Sequence, residues 1–219
     1  EKVQQKCLAL GVQAWCRTVD MEKPESIDAL VEWINAEGHK IDFLLLNAGI
    51  SQRALTLETD ISVDRRLMEV NYFGGIYLVK ALKDMFIERG VHIGVVSSVS
   101  GVFGFPVRSA YCASKHAIHG FYETIALEYP QIRTTIIIPG RIHTDVSKNA
   151  LDGSGVQGCC ILTVNVNVTN VSMATAKTIS DESYTSGHIC SPGAEQWFKF
   201  TALIICSVFL YPPQPRMPK

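Results

Sequence analysis

An excess of charge of either sign is absent from this sequence, because its 20 Lys and Arg residues are balanced by 21 Asp and Glu residues. Basic and acidic residues are interspersed, so no basic stripe is available to neutralise nucleic-acid phosphates. Long apolar runs are absent too. The apolar stretch at 200–211 has 12 residues, short of the roughly 20 that a membrane-spanning helix needs. The sequence therefore predicts neither a nucleic-acid partner nor a transmembrane segment, and it favours a strand or an interfacial segment at 200–211.

Cysteine pairs with metal-ligand spacing are also absent. The seven cysteines are odd in number and form no C-x-x-C pair, so the sequence predicts neither a metal cluster nor a disulfide framework. We expect reduced thiols and interpret the adjacent Cys159 and Cys160 as incidental rather than reactive. His116 and His119 lie three residues apart in a predicted helix, but nothing supplies further ligands, so solvent-facing or interface positions are expected for them.

The composition indicates one domain with a substantial core, since 47% of the 219 residues are hydrophobic. Strand and helix patterns alternate along the chain, as in a parallel sheet with crossover helices. The predicted strands are 12–20, 41–47, 91–97 and 134–139, and the predicted helices end at Gly11 or cover 25–38, about 64–88 and about 108–128. Ligands of such sheets bind beyond the carboxyl ends of the strands, where Asp20, Asn47, Ser98 and Pro139 fall.

Three of the polar residues, Ser98, Tyr111 and Lys115, have the spacing of an acid/base centre for carbonyl chemistry. Tyr111 and Lys115 are four residues apart in a predicted helix, so both project from one face. An ammonium group near a phenol favours the phenolate. We therefore expect Lys115 to lower the pKa of Tyr111 from about 10 toward the working range of a general acid/base. The Ser98 hydroxyl could hold the reacting oxygen.

Further motifs stand in a fixed order around these residues. Asn47-Ala48-Gly49 follows a predicted strand, Asn71 lies within a predicted helix, and Pro139-Gly140 follows another strand. Together with a serine thirteen residues before the tyrosine of Y-x-x-x-K, the set resembles the short-chain dehydrogenase/reductase family over roughly residues 1–158. Segments such as GISQR and RSAYCASKHA are most similar to one branch of that family. The resemblance implies an NAD(P)-dependent oxidoreductase that interconverts a carbonyl and an alcohol by hydride transfer.

The resemblance also implies a role for each matching residue. In the family the tyrosine exchanges the proton, the serine holds the substrate oxygen, the lysine bonds the nicotinamide ribose, and the asparagine helps to hold a proton-relaying water. The positions here are Tyr111, Ser98, Lys115 and Asn71. Tyr111 and Lys115 are also implied to contact the cofactor. The other implied cofactor contacts are Asp20 at the adenine, Asn47, Ala48 and Gly49 near the ribose, Pro139 and Gly140 beside the cofactor, and Ile142 and Thr144 near the carboxamide and pyrophosphate. The alternatives are a strand-end role for Asp20, and turn or helix-surface positions for Asn47 and Asn71.

The family resemblance further implies NAD or NADP as the cofactor, with NADP slightly favoured, and small apolar substrates. It implies a homodimer through the helices at about 64–88 and 108–128. It also implies the endoplasmic reticulum membrane, reached through an N-terminal anchor that this sequence lacks, or otherwise the cytoplasm. The alternative function is a catalytically silent variant that acts as an interaction partner of related subunits.

One family motif is missing. No G-x-x-x-G-x-G loop, which cradles the cofactor pyrophosphate at a helix N-terminus, precedes the predicted sheet. The predicted fold class is therefore α/β: an incomplete Rossmann-like, doubly wound parallel sheet that lacks its first β-α-β segment, as in a fragment or alternative product of a longer protein. In the family strand order 3-2-1-4-5-6-7, this loss leaves the edge of the strand at 41–47 open unless the chain pairs it anew. We expect weak cofactor binding and a tendency to aggregate.

Charged residues become sparse near residue 150, with 33 in residues 1–149 and 8 in residues 150–219. This shift predicts a partial Rossmann-type domain at 1–149 and a divergent, irregular and poorly ordered segment at 150–219. Because the family resemblance ends near residue 158, a changed reading frame or a different exon is favoured over an adapted substrate lid. Two glycosylation sequons, at Asn167 and Asn170, would matter only in a secretory lumen.

Overall fold

The computed structural model describes residues 2–11, 13–140 and 149–156, and the backbone of three strands at 174–179, 185–187 and 202–205. The helices are α1 (Lys2–Ala9), α2 (Pro24–Ala36), α3 (Ile61–Met68), α4 (Gly74–Ala81), α5 (Lys83–Arg89) and α6 (Ser109–Glu128). The strands are β1 (Phe43–Leu46), β2 (His92–Val96), β3 (Arg133–Pro139), β4 (Ala174–Ile179), β5 (Thr185–Gly187) and β6 (Ala202–Ile205). Short 3₁₀ turns lie at Thr56–Glu58 and Val99–Gly101, and a π-helical turn at Glu69–Phe73 joins α3 to α4.

These strands form a six-stranded sheet in the order β5-β4-β3-β2-β1-β6. Four neighbouring strands, β6, β1, β2 and β3, run parallel, whereas β4 is antiparallel to both β3 and β5. The parallel strands β1, β2 and β3 alternate with helices along the chain, which confirms the predicted α/β class. Their carboxyl ends lie at one edge of the sheet, where Asn47 follows β1 and Ser97 follows β2.

The edge of β1 that faces away from β2 is covered. Strand β6 runs parallel to β1, with Phe43 opposite Ala202 and Leu46 opposite Ile205. Strand β6 thus fills the edge of β1 that was expected to be open. An open strand edge was the reason to expect aggregation, and β1 does not present one. Part of the apolar run at 200–211 is a strand, as favoured above.

The predicted strand at 12–20 is wrong, because residues 13–20 adopt no regular structure. Both edges of β1 are taken, by β2 and β6, so β1 offers no free backbone groups to this segment. The end of the segment still packs on the core, since Val19 is 9% exposed and Met21 is 2% exposed. Trp15, by contrast, is exposed.

Helices pack on the sheet through the apolar faces that the sequence indicates. Helix α2 begins with Pro24 in its first turn, where a missing N–H costs nothing, and buries Ile27, Leu30 and Ile34. The predicted helix at 64–88 is present but interrupted by the π-helical turn and again at Leu82. Close packing explains Gly74, where an added Cβ would lie 2.3 Å from the Met21 carbonyl oxygen. In the described part of the chain, no helix combines the length and apolarity that crossing a bilayer requires.

Candidate active site

The structure brings Ser98, Tyr111, Lys115 and Asn71 together at the carboxyl edge of the parallel strands. Ser98 lies just after β2, Tyr111 and Lys115 lie in the first half of α6, and Asn71 lies in the π-helical turn. The Lys115 Nζ atom is 5.8 Å from the centroid of the Tyr111 ring. A Cβ added at Gly49 would lie 3.3 Å from Asn71 Oδ1 and 3.6 Å from Lys115 Nζ. Residues far apart in sequence therefore form one cluster.

The Ser98 side chain lies close enough to the Tyr111 side chain to act on its pKa through hydrogen bonding. The Ser98 backbone is extended (φ −167°, ψ 163°), and its Oγ also accepts a 3.1 Å hydrogen bond from the Ser100 N–H. Burial raises the pKa of Tyr111, although the Ser98 hydrogen bond and the Arg108 guanidinium act to lower it. The expectation of a lowered pKa is therefore wrong, because the cost of burying a phenolate outweighs these interactions. The Tyr111 hydroxyl is protonated at neutral pH and can donate.

Lys115 is buried and its ammonium points to the end of β2. The side chain is 4% exposed, and Nζ donates a 2.8 Å hydrogen bond to the Val96 carbonyl oxygen. Burial lowers the pKa of Lys115 from 10.5 to about 8. Lys115 was expected to lower the pKa of Tyr111, but burial, Ser98, Arg108 and Cys112 are the groups and effects that shift it. Lys115 is thus a poorly solvated ammonium close to, but not bonded with, the reacting hydroxyls.

Asn71 connects the loop after β1 to helix α6. It is 6% exposed, its Oδ1 accepts a 2.7 Å bond from the Ile50 N–H, and its Nδ2 donates to the Ile50 carbonyl oxygen and to Ser114 Oγ, each at 2.9 Å. Ser114 Oγ in turn donates to the Tyr111 carbonyl oxygen at 2.9 Å. These bonds occupy the donors and an acceptor of the amide, so a helix-surface position for Asn71 is wrong.

A small cavity of about 20 Å³ lies beside this cluster. Its lining includes Ala48, Asn71, Val96 and the buried Tyr122. This volume is sufficient for about one water molecule, and the Asn71 amide supplies a polar wall. Gly49, in the loop after β1, approaches both Asn71 Oδ1 and Lys115 Nζ, so this loop lies close to the buried ammonium.

The other implied cofactor residues are placed as follows. Asp20 precedes α2, where Oδ1 accepts a 3.0 Å bond from the Glu22 N–H and Oδ2 lies 3.5 Å from Lys23 Nζ. Its carboxylate therefore organises a turn rather than ending a strand. Asn47 follows β1 directly, and Pro139 ends β3 with Gly140 after it. Ile142 and Thr144 lie outside the described residues, as do Cys159, Cys160 and both sequons.

His116 and His119 both lie in α6. In the described ranges, no three His, Cys, Asp or Glu side chains are grouped for a metal ion. His119 is not simply solvent-facing, because its Nε2 lies 2.8 Å from Ser97 Oγ and its Nδ1 lies 3.9 Å from Glu123 Oε1. His116 is exposed, and its Nδ1 lies 2.8 Å from the Cys112 carbonyl oxygen.

Sequence reasoning missed three residues that contact this cluster. Arg108 lies 5.9 Å from the Tyr111 ring centroid and donates to Ser51 Oγ. Gln52 accepts hydrogen bonds from the first turn of α6, and Ser114 joins Asn71 to Tyr111. The only local signal for Arg108 was its position three residues before Tyr111, which is one helical turn. No local signal indicated Gln52, because its partners in α6 are 57 to 59 residues away.

Comparison with known proteins agrees with this geometry. The family model for short chain dehydrogenase matches residues 1–154. The chain is 42% identical over 147 residues to the dehydrogenase/reductase SDR family member 7B of Mus musculus, which covers 65% of this chain and 45% of that relative. The chain thus spans less than half the length of this curated relative. Member 7B belongs to the branch that the segments GISQR and RSAYCASKHA resemble, which confirms the narrower resemblance.

Solved structures show the same fold. An alcohol dehydrogenase from the archaeon Thermococcus sibiricus, complexed with 5-hydroxy-NADP, has a TM-score of 0.63 at 22% identity, with 69% of each chain covered. A 4-hydroxyisoleucine dehydrogenase complexed with NADH and succinate has a TM-score of 0.54 at 29% identity, with 63% of this chain and 64% of that chain covered. The family match over residues 1–154 and the identity to member 7B carry the assignment. The chain belongs to the short-chain dehydrogenase/reductase family.

Proposed function

We propose that this protein is an NAD(P)-dependent oxidoreductase that interconverts a carbonyl and an alcohol, with Tyr111 as the group that gives or takes the proton. The observation that carries the proposal is the cluster of the Tyr111 and Ser98 side chains with the buried Lys115 at the carboxyl edge of the sheet. A carbonyl oxygen that becomes an alcohol needs one group to hold it and another to protonate it. Two adjacent hydroxyls meet that need.

The protonation states support a donor role for Tyr111. Burial raises the pKa of Tyr111, so the phenol retains its proton at neutral pH until an oxygen develops negative charge beside it. The Ser98 hydrogen bond and the Arg108 guanidinium lower that pKa, so both stabilise the phenolate that remains after proton transfer. Ser98 would hold the substrate oxygen while Tyr111 donates.

The residues at the ends of β1 and β2 fit the nicotinamide ribose of NAD or NADP. At Gly49 an added Cβ would lie 3.3 Å from Asn71 Oδ1, a tight approach, and 3.6 Å from Lys115 Nζ, which is ordinary contact, so the backbone here lies close to both groups. Lys115 could bond the ribose hydroxyls, beside the backbone of Ala48 and Gly49. When bound, the cofactor supplies or accepts the hydride. The solved relatives complexed with NADH or 5-hydroxy-NADP support the cofactor class without deciding between NAD and NADP.

Apolar side chains next to Ser98 support an apolar substrate. The segment that follows Ser98 exposes Val102, Phe103 and Phe105, which are 47%, 65% and 43% exposed. Apolar groups that stay in water near reacting hydroxyls would gain free energy by covering an apolar ligand. We therefore include small apolar ketones, aldehydes and alcohols in the proposal.

The test compares Tyr111→Phe with Tyr129→Phe, an exposed tyrosine at the end of α6. NADH or NADPH oxidation is followed with a panel of apolar ketones and aldehydes, and cofactor binding is followed by fluorescence. We expect Tyr111→Phe to reduce turnover by about 10²- to 10⁴-fold, because it removes the proton donor, while cofactor affinity is unchanged. Tyr129→Phe should retain turnover. Full turnover in Tyr111→Phe would refute the assignment of Tyr111.

A further inference from the structure

We propose that Gln52 is a positioning residue: from the loop after β1 it caps the first turn of α6 and so fixes Tyr111 beside Ser98. This inference rests on the proposed function for its effect on turnover, but the placement of Tyr111 can be measured without turnover. Gln52 lies in the segment GISQR but is none of the residues to which the resemblance gives a catalytic or cofactor-binding role, and it is 0% exposed.

The first turn of α6 has backbone donors without partners inside the helix. The first intrahelical bond runs from the Cys112 N–H to the Arg108 carbonyl oxygen at 2.8 Å, so the N–H groups of residues 109–111 need other acceptors. Arg108, at the N-cap position, makes no side-chain capping bond. Gln52 Oε1 accepts from the Ala110 N–H at 2.9 Å and from the Tyr111 N–H at 3.2 Å. A distant amide thus does what an N-cap side chain usually does.

The amide of Gln52 is bonded at both ends. Besides the two bonds to Oε1, its Nε2 donates to Ser109 Oγ at 3.1 Å and to Thr59 Oγ1 at 3.3 Å. Three of the four partners belong to the first three residues of α6. A buried amide is tolerated when its polar atoms are paired, and it becomes costly when they are not. The position therefore depends on this particular side chain.

The backbone on both sides of Gln52 is fixed as well. The Arg53 N–H donates to the Leu151 carbonyl oxygen at 2.7 Å, and the Leu151 N–H donates to the Ser51 carbonyl oxygen at 2.8 Å. Ser51 Oγ accepts from the Arg108 guanidinium, which adds a second contact between this loop and the start of α6. The backbone that carries the Gln52 amide is therefore fixed by hydrogen bonds on both sides.

The cap affects the proposed reaction because Tyr111 is one of the two residues whose N–H donates to Gln52 Oε1. The hydroxyl lies at the far end of the ring, so a small tilt of the first turn displaces it further than it displaces the backbone. Misplacement of a reacting group by about 1 Å can reduce a rate about 10²-fold. Gln52 therefore acts on the proposed reaction through Tyr111, with no contact to substrate.

Three variants distinguish the bonds from Gln52 to the first turn of α6 from its other interactions. Gln52→Leu leaves the Ala110 and Tyr111 N–H groups without acceptors. Gln52→Glu keeps an acceptor at the helix N-terminus and adds a negative charge, which favours folding there but disfavours a nearby phenolate. Thr59→Val is the matched control, because it removes a partner of Gln52 that does not belong to α6. None of the three changes Arg108, Lys115 or Cys112, the titratable groups near the Tyr111 ring.

Two NMR measurements and one kinetic measurement test the proposal. In Gln52→Leu we expect amide exchange at Ala110 and Tyr111 to become about tenfold faster. We also expect the ¹³Cζ titration of Tyr111 to change. In Gln52→Glu exchange should remain slow, and the titration should move to higher pH. Turnover in Gln52→Leu should fall about 10- to 100-fold in kcat with KM unchanged, and Gln52→Glu should recover part of it. Thr59→Val should leave all three unchanged.

Specific outcomes would overturn the proposal. An unchanged Tyr111 titration and kcat in Gln52→Leu, despite faster exchange, would make the cap structural only. If Gln52→Leu does not fold, a Tyr111 titration in Gln52→Glu equal to that of the wild type would overturn the proposal in its place. Absence of turnover in every protein, the wild type included, would refute the proposed function, while the exchange and titration would still show whether Gln52 places Tyr111.

Discussion

Two layers of polar residues meet at helix α6, and they differ in how their hydrogen bonds are used. The reacting layer is Ser98 and Tyr111, which are partly buried and whose side chains lie next to each other. The bracing layer is Asn71, Ser114 and Lys115, which are at most 6% exposed and bonded to backbone or to one another. The difference indicates two roles. Side chains whose hydrogen bonds are made within the protein fix the geometry of the site, whereas the accessible hydroxyls of Ser98 and Tyr111 can form hydrogen bonds with a substrate.

Asn71→Leu should break the bracing layer and have the largest effect on stability. The change removes the Asn71 partner of the partly buried N–H and C=O groups of Ile50 and of the buried Ser114 Oγ. We expect the free energy of unfolding to fall by about 3 kcal/mol, measured by urea denaturation. Asn35→Leu, on the exposed face of α2, should change it by less than about 0.5 kcal/mol. An equal, small effect of both variants would show that the two layers do not differ.

Lys115→Met tests the bracing layer through the pH dependence of stability. The pKa of Lys115 is about 8 in the folded chain, below its ordinary value of 10.5, so the unfolded chain binds this proton more tightly. Stability of the wild type should therefore rise with pH between those values, relative to Lys115→Met, by on the order of 2 kcal/mol from about pH 8 to about pH 10. Urea unfolding at several pH values measures it, with the exposed Lys40→Met as control. The same pH slope in the wild type and in Lys115→Met would contradict the burial of a charged Lys115.

Local signals predicted both residues of the reacting layer, and Lys115 of the bracing layer. The four-residue spacing of Tyr111 and Lys115 on a helix, and Ser98 at the end of a strand, are patterns that neighbouring residues determine. The electrostatics were not predictable in the same way. Whether burial or a neighbouring charge controls the pKa of Tyr111 depends on solvent exclusion by residues distant in sequence, and here burial prevails.

Long-range pairing explains what the sequence did not predict. Residues 13–20 have the apolar pattern of a strand, but the adjacent edge of β1 is paired with β6, which lies more than 150 residues later. Gln52 caps a helix that begins 57 residues after it. A residue pattern reports which face of an element is apolar, but not which distant backbone will supply its hydrogen bonds.

The most direct test of the reacting layer is the pKa of Tyr111 itself, measured by ¹³Cζ NMR titration in the wild type, Ser98→Ala and Ser100→Ala. Assignment comes from the signal that Tyr111→Phe removes. The Ser98 hydrogen bond lowers the pKa of Tyr111, so its loss in Ser98→Ala should raise that pKa, whereas Ser100→Ala should leave it unchanged. The same pKa for Tyr111 in Ser98→Ala and the wild type would contradict the pairing of these two hydroxyls.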